Sequence, residues 1–212
     1  MAQRDIARIL VQQHGTTYGE EAGITLRDKP SPLWQLLVLS MLLSARISAD
    51  IAVAAARELF RAGYRTPRAM REATWQQRVD ALGRGHYRRY DERTSSMLGE
   101  TADMVLDEHR GDLRRIHQGS VTDIEGALQR FKGIGPTGAA IFCREAQGIW
   151  TDLAPYVDKR AADGAARLGL PRDAKQLAGL VAKPDLTRLV AGCVRAAGDK
   201  QVVEDVRARV AA

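Results

Sequence analysis

Ten consecutive residues carry the most specific chemistry in the chain: Phe131-Lys132-Gly133-Ile134-Gly135-Pro136-Thr137-Gly138-Ala139-Ala140. Two glycines flanking one apolar residue permit positive φ and let the backbone come close to another molecule. Ile134 is placed to plug the turn into a core. Pro136 suits the first turn of a following helix, whose free N–H groups and positive dipole end then point outward. With Lys132 adding charge, the segment is suited to holding one phosphate. The alternative is an ordinary helix–helix turn, since Gly-x-Gly is common in such places. A second stretch, Arg84-Gly85-His86-Tyr87-Arg88-Arg89-Tyr90, mixes cations with aromatic rings, a combination suited to phosphate contact and base stacking. It reads equally as a basic helix face with tyrosines half-buried against a core.

Other chemistries find little support. His14, His86, His109 and His117 are scattered, with no i, i+4 pair to hold a metal, and no metal site is expected. The only cysteines, Cys143 and Cys193, are fifty positions apart, so neither a disulfide framework nor a cysteine-built zinc or iron–sulfur site is available. Asp152 is expected at the surface.

The elements that must position these residues are helical almost everywhere. Ile6, Ile9 and Leu10 share one face of an opening helix. Leu33 to Leu43 is apolar nearly all round, as a buried central helix would be. Ser48 is a cap for the next helix, which stops at Gly63. Thr66-Pro67 reads as an N-cap with proline in the first turn, and Thr74 with Gln77 as a capping box on a helix ending at Gly83. A long helix is expected from Asp91 to His109. Thr122 with Glu125 is expected to form a second capping box before Ile124, Leu128 and Phe131. Val202, Val203, Val206 and Val210 repeat at helical spacing near the C-terminus. No alternating β-branched run is long enough for a strand, so the fold expected is all-α, about ten or more helices joined by short loops.

Composition sets the outer limits. The chain has 212 residues, 45% hydrophobic and 27% charged, which fits a globular protein with a sizeable core and not a disordered one. Lys and Arg number 32 against 26 Asp and Glu, a net charge of +6 and a pI near 9.6, a balance that favours polyanions. The opening Met-Ala-Gln-Arg-Asp does not lead into a signal peptide, and the run from Leu33 to Leu43 is too short to span a bilayer. A cytoplasmic location, with no membrane partner, is the expectation.

Four segments, in order, carry a resemblance to a known family. Leu42-Leu43-Ser44-Ala45-Arg46 follows the apolar helix; Phe131 to Ala140 forms the hairpin; Tyr156-Val157-Asp158 comes 23 residues after Gly135; and Ala166-Arg167-Leu168-Gly169-Leu170 follows. Together they resemble the helix-hairpin-helix DNA glycosylases of the endonuclease III type. The resemblance implies two helical lobes with a DNA-binding cleft: residues 28–150 forming the lobe that contains the hairpin, and residues 1–27 with 151–212 forming a second from both termini. It implies base-excision repair of double-stranded DNA carrying a lesion or mismatch. The hairpin residues Lys132, Gly133, Ile134, Gly135, Thr137 and Gly138 would hold the backbone, and Asp158 would be the catalytic carboxylate facing a flipped-out nucleotide. Arg46 stands where the family commonly has glutamine, near the DNA. Arg88, Arg89, Lys159 and Arg160 are further DNA contacts in this reading, and Ser44, Tyr87 and Tyr90 line the substrate pocket.

Departures from the family refine the expectation. The residue aligned with the hairpin lysine that forms a Schiff base in bifunctional members is Thr137, and a hydroxyl cannot form the imine. A monofunctional glycosylase leaving an abasic site is therefore expected, acting as a monomer and without a cofactor. The C-terminus lacks the family's four cysteines, so Cys193 is expected to be a core residue in a cluster-free lobe. Two alternatives stay open: a DNA-binding protein of the same fold without chemistry, favoured by the Lys159-Arg160 pair after Asp158, and an abasic-site lyase using a displaced lysine, Lys132 or Lys159. Asp158 also reads as a plain N-cap, compatible with either role.

Overall fold

The computed structural model describes residues 3–211; Met1 and Ala2, at the head of the opening run, lie outside the described residues. Among the described residues there are helices and no strand. In chain order the helices are α1 (Gln3–His14), α2 (Tyr18–Glu21), α3 (Pro30–Ser44), α4 (Ala49–Arg61), α5 (Pro67–Glu72), α6 (Trp75–Arg84), α7 (Asp91–His109), α8 (Val121–Gln129), α9 (Pro136–Ala146), α10 (Lys159–Arg167), α11 (Ala174–Ala178), α12 (Leu186–Gly198) and α13 (Lys200–Ala211). Three single 3-10 turns cover Leu113–Ile116, Thr151–Leu153 and Lys183–Asp185. Among the described residues no helix is long and apolar enough to cross a membrane.

Two compact units make up the chain. The middle unit runs from Gly19 to Cys143, and the terminal unit joins the segment up to Tyr18 to everything from Arg144 onward. The expectation from sequence put these divisions after residues 27 and 150. The first division falls after Tyr18 and the second inside α9, between Cys143 and Arg144.

In the middle unit α3 is the axis. All its residues from Leu33 to Leu42 are buried, which is why its sequence shows no polar face. α4 and the 113–116 turn pack on it, while α5 and α6 pack on α7. Local caps start these helices. The Ser48 side chain accepts the amide of Ile51 and Thr66 that of Ala69, while Thr74 and Gln77 form a reciprocal box. Two expected boundaries move. The second capping box forms between Ser120 and Asp123, not Thr122 and Glu125, because Gly119 at φ +79° turns the chain so that Ser120 is the extended residue before α8. And α6 runs past Gly83 to Arg84. Its cap is Gly85, where an added Cβ would fall 2.3 Å from the Ala55 Cα of α4. A buried Arg78 ties this unit together, donating to the carbonyls of Ser95, Met70 and Ala73 at 3.0, 3.0 and 2.7 Å.

In the terminal unit α12 lies between α1 and α10, with α13 closing against α1 and α12. Its core draws on Leu10, Ala161, Ala165, Leu177, Leu189, Cys193 and Val206. Gly164 makes the α10–α12 crossing possible, since a Cβ there would lie 1.8 Å from the Cys193 carbonyl oxygen. On the other side a Cβ at Gly192 would meet Leu10 at 3.1 Å. Arg167 donates to the carbonyls of Ala196 and Ala197 at the end of α12, satisfying groups the helix leaves open.

Candidate functional site

The hairpin is built in the middle unit from α8, a tight turn and α9. Phe131 and Ile134 are buried, at 1% and 4% exposure, and the Ile134 amide donates to the Phe131 carbonyl at 3.0 Å, closing the turn. From α7 the Thr101 hydroxyl donates to the Lys132 carbonyl at 3.1 Å. The Gly135 carbonyl then accepts the Ala139 amide at 3.0 Å, opening the hydrogen-bond series of α9. The amides of Thr137 and Gly138 are left in the first turn, where a helix offers no carbonyl to receive them.

The two glycines of the turn differ in why they must be glycine. Gly133 has φ +82°, and a Cβ there would meet the Met97 sulfur at 2.9 Å, so its own fold demands it. Gly135 has no positive φ, and nothing lies within 4 Å of its Cβ position. That open side leaves the backbone approachable from outside. Lys132 and Thr137 are exposed beside it, and the Lys132 ammonium is 3.9 Å from the Glu100 carboxylate. Ser44 stands against the same element: a Cβ on Gly138 would be 3.6 Å from the Ser44 Cβ. The Ser44 hydroxyl is turned back to the Met41 carbonyl at 2.8 Å. Arg46, two residues on, is exposed.

The second stretch divides. Arg88 and Arg89 are exposed, and the Arg89 guanidinium lies 5.2 Å from the ring centre of Tyr90, which is half-buried just before α7. Tyr87 is 1% exposed, its phenol oxygen accepts from the Thr94 hydroxyl at 3.4 Å, and burial raises its pKa. Its ring is part of the wall of the middle unit and shows no face on which a base could stack.

Asp158 belongs to the terminal unit. As the N-cap of α10 it accepts the Ala161 amide on Oδ1 at 2.8 Å, the local role its sequence position implies. Its Oδ2 accepts from Arg144 Nη1 at 2.6 Å, and the two side chains are 10% and 5% exposed. Gln147, also buried, accepts the Tyr156 amide on Oε1 and donates through Nε2 to the Tyr156 and Arg144 carbonyls, at 3.0, 3.0 and 2.9 Å. Lys159 and Arg160 are exposed next to it. Lys159 reaches the Asp163 carboxylate at 2.8 Å, and a Cβ on Gly198 would lie 2.8 Å from an Arg160 guanidinium nitrogen.

The terminal unit thus gathers Asp158, Lys159 and Arg160, and the middle unit gathers Lys132 to Gly138 with Ser44. Arg144 and Gln147 are additions that sequence reasoning did not supply. The one available signal was their place: Arg144 follows Ile141 by three residues, on a buried helix face. Among the described residues no group of three or more His, Cys, Asp or Glu is placed to hold a metal, and both cysteines are buried.

No protein-family model and no curated protein matches the sequence. The structure is similar to endonuclease III in two DNA complexes. One is a trapped covalent intermediate, an estranged-adenine complex, with a TM-score of 0.51 and 15% identity. The other is a non-covalent complex, with a TM-score of 0.50 and 17% identity. Each comparison covers 92% of this chain and 86% of the other. At these identities the likeness establishes the fold: the chain has the all-helical endonuclease III fold.

Proposed function

We propose that the protein is a DNA-repair N-glycosylase that binds double-stranded DNA carrying a lesion or mismatch and hydrolyses the N-glycosidic bond of one flipped-out base, leaving an abasic site. The observation that carries this reading is the turn from Lys132 to Gly138. Its outer side is open at a glycine its own fold does not require, and it precedes a helix N-terminus in an endonuclease III fold. One phosphate fits there, received by the Thr137 and Gly138 amides and attracted by Lys132. Arg46, Arg88, Arg89, Lys159 and Arg160 supply further phosphate contacts. Losing a base builds positive charge on the deoxyribose, which the Asp158 carboxylate stabilises as water attacks. Ser44 and Tyr90, both half-buried, remain the pocket residues of this reading.

Thr137 supports hydrolysis over lyase chemistry, since it offers no amine. Lys159, the nearest amine to Asp158 in sequence, is engaged with Asp163. A second reading, a DNA-binding protein without chemistry, is favoured by the Arg144–Asp158 ion pair, which occupies the oxygen that the N-cap leaves over. A panel of duplexes with single oxidised, alkylated, deaminated, mispaired and abasic sites separates the readings. Breaks that need alkali, and vanish in Asp158→Asn, are the expected result. Breaks without alkali would establish a lyase, and binding without breaks would establish the second reading.

A further inference from the structure

An N-cap needs one carboxylate oxygen, yet Asp158 has both engaged. Its second oxygen is held by a guanidinium that is itself 5% exposed, from the last turn of α9. Beside it Gln147 pairs with both polar groups of Tyr156, much as a neighbouring β-strand would, and fastens back to the Arg144 carbonyl. Residues 156 and 158 are therefore gripped on either side of Val157 by side chains from one helix end. A carboxylate this enclosed, left alone, would be strongly disfavoured, and the Arg144 guanidinium meets it through one nitrogen, Nη1, at 2.6 Å.

We propose that Arg144 is a positioning residue for Asp158, with Gln147 setting the 156–158 segment beneath it. Arg144 fixes Oδ2 and offsets part of the carboxylate's repulsion of the surrounding phosphates, while Asp158 stays an anion that meets the sugar in a preset orientation. The inference rests on the reading of Asp158 as the reacting carboxylate. Position and charge are separable, because lysine keeps the charge but ends in a compact ammonium that cannot stand where Nη1 stands.

The test compares wild type, Arg144→Lys, Arg144→Met and Arg144→Met/Asp158→Asn. Affinity is measured by fluorescence anisotropy on a duplex with a stable abasic-site analogue, and single-turnover rate on the lesion duplex that wild type cleaves. Arg144→Lys should keep affinity within about twofold while its rate falls about tenfold or more, since small misplacements of a reacting group are costly. Arg144→Met should bind about three- to tenfold more weakly, and adding Asp158→Asn should restore that loss, because the unopposed charge is gone. Unchanged rate in Arg144→Lys overturns the positioning role. A loss of affinity that persists in the double variant overturns the charge offset. If Arg144→Met fails to fold, Arg144→Lys alone decides the matter through its split between rate and affinity. If wild type binds and cleaves nothing, the glycosylase reading falls while the affinity comparison still judges the charge offset. If it binds no duplex, both fall.

Discussion

The Thr101 hydroxyl, in the buried face of α7, donates to the carbonyl of Lys132 at 3.1 Å, so the residue that opens the hairpin turn is held by a helix residue 31 positions upstream in the chain. Thr101→Val keeps the shape and removes the donor. A loss of about 1 kcal/mol in stability is expected by thermal or denaturant unfolding, the ordinary net worth of one such bond. DNA affinity should fall with it, because the turn loses its anchor. An unchanged affinity would mean the turn is held by Phe131 and Ile134 alone.

Gly133 and Gly135 should respond differently to the same change. Gly133→Ala puts a Cβ into the Met97 sulfur at positive φ and should cost about 1–3 kcal/mol of stability. Gly135→Ala meets nothing inside the protein and should melt like wild type, yet bind DNA more weakly, because the added methyl occupies the space a phosphate would enter. Melting curves with anisotropy titrations check both.

Charge makes a quantitative claim. The logarithm of the DNA binding constant should fall linearly with the logarithm of salt concentration, and Lys132→Ala should reduce the slope by about 0.9, one phosphate contact. The loss should be equal across duplex sequences. A slope unaltered by Lys132→Ala would show that its ammonium stays with Glu100 in the complex.

Tyr87 is expected to matter for the fold and not for binding. Tyr87→Phe loses only a long contact with Thr94 and should cost less than about 1 kcal/mol, whereas Tyr87→Ala should cost about 3–5 kcal/mol. DNA affinity of Tyr87→Phe should match wild type.

Burial pushes the thiols of Cys143 and Cys193 from 9.0 up to about 12. In the folded chain they stay protonated at pH 8 and should resist alkylation until the protein unfolds. For these groups the folded value lies above the unfolded one, so their contribution to stability is complete below pH 9 and is lost as pH rises toward 12. Denaturant unfolding at pH 8, 9.5 and 10.5 should show a decline that Cys143→Ala and Cys193→Ala lessen. Fast labelling of the native protein at pH 8 would contradict the burial.

Much of the frame could be read from short-range chemistry. Ser48, Thr66 and Thr74 announce their helices because a cap is a bond between residues three apart, and the apolar run from Leu33 announces a buried axis. Ser120 was missed by two residues because the positive φ of Gly119, which chooses the extended position, has no signature beyond glycine itself. The hairpin was legible for the same local reasons, and so was Asp158 as a cap. Its partnership with Arg144 was not. Charged and amide residues ending a helix ordinarily face water, and only the fold decides that Arg144, Glu145 and Gln147 are enclosed. Tyr87 left two readings open: flanked by cations it resembles a binding residue, yet it also reads as a ring packed on a core, and tertiary packing buries it.

The contact of Gly164 with the Cys193 carbonyl has a mechanical result for the terminal unit. With α10 and α12 touching backbone to backbone, and Gly192 pressed on Leu10, these helices have no room to move inward. A void opened by trimming Leu189, on α12 itself, would stay a void, so Leu189→Ala belongs at the upper end of the about 2–5 kcal/mol that leucine-to-alanine changes cost. The unit behaves as a rigid frame in which lost volume is not recovered by settling.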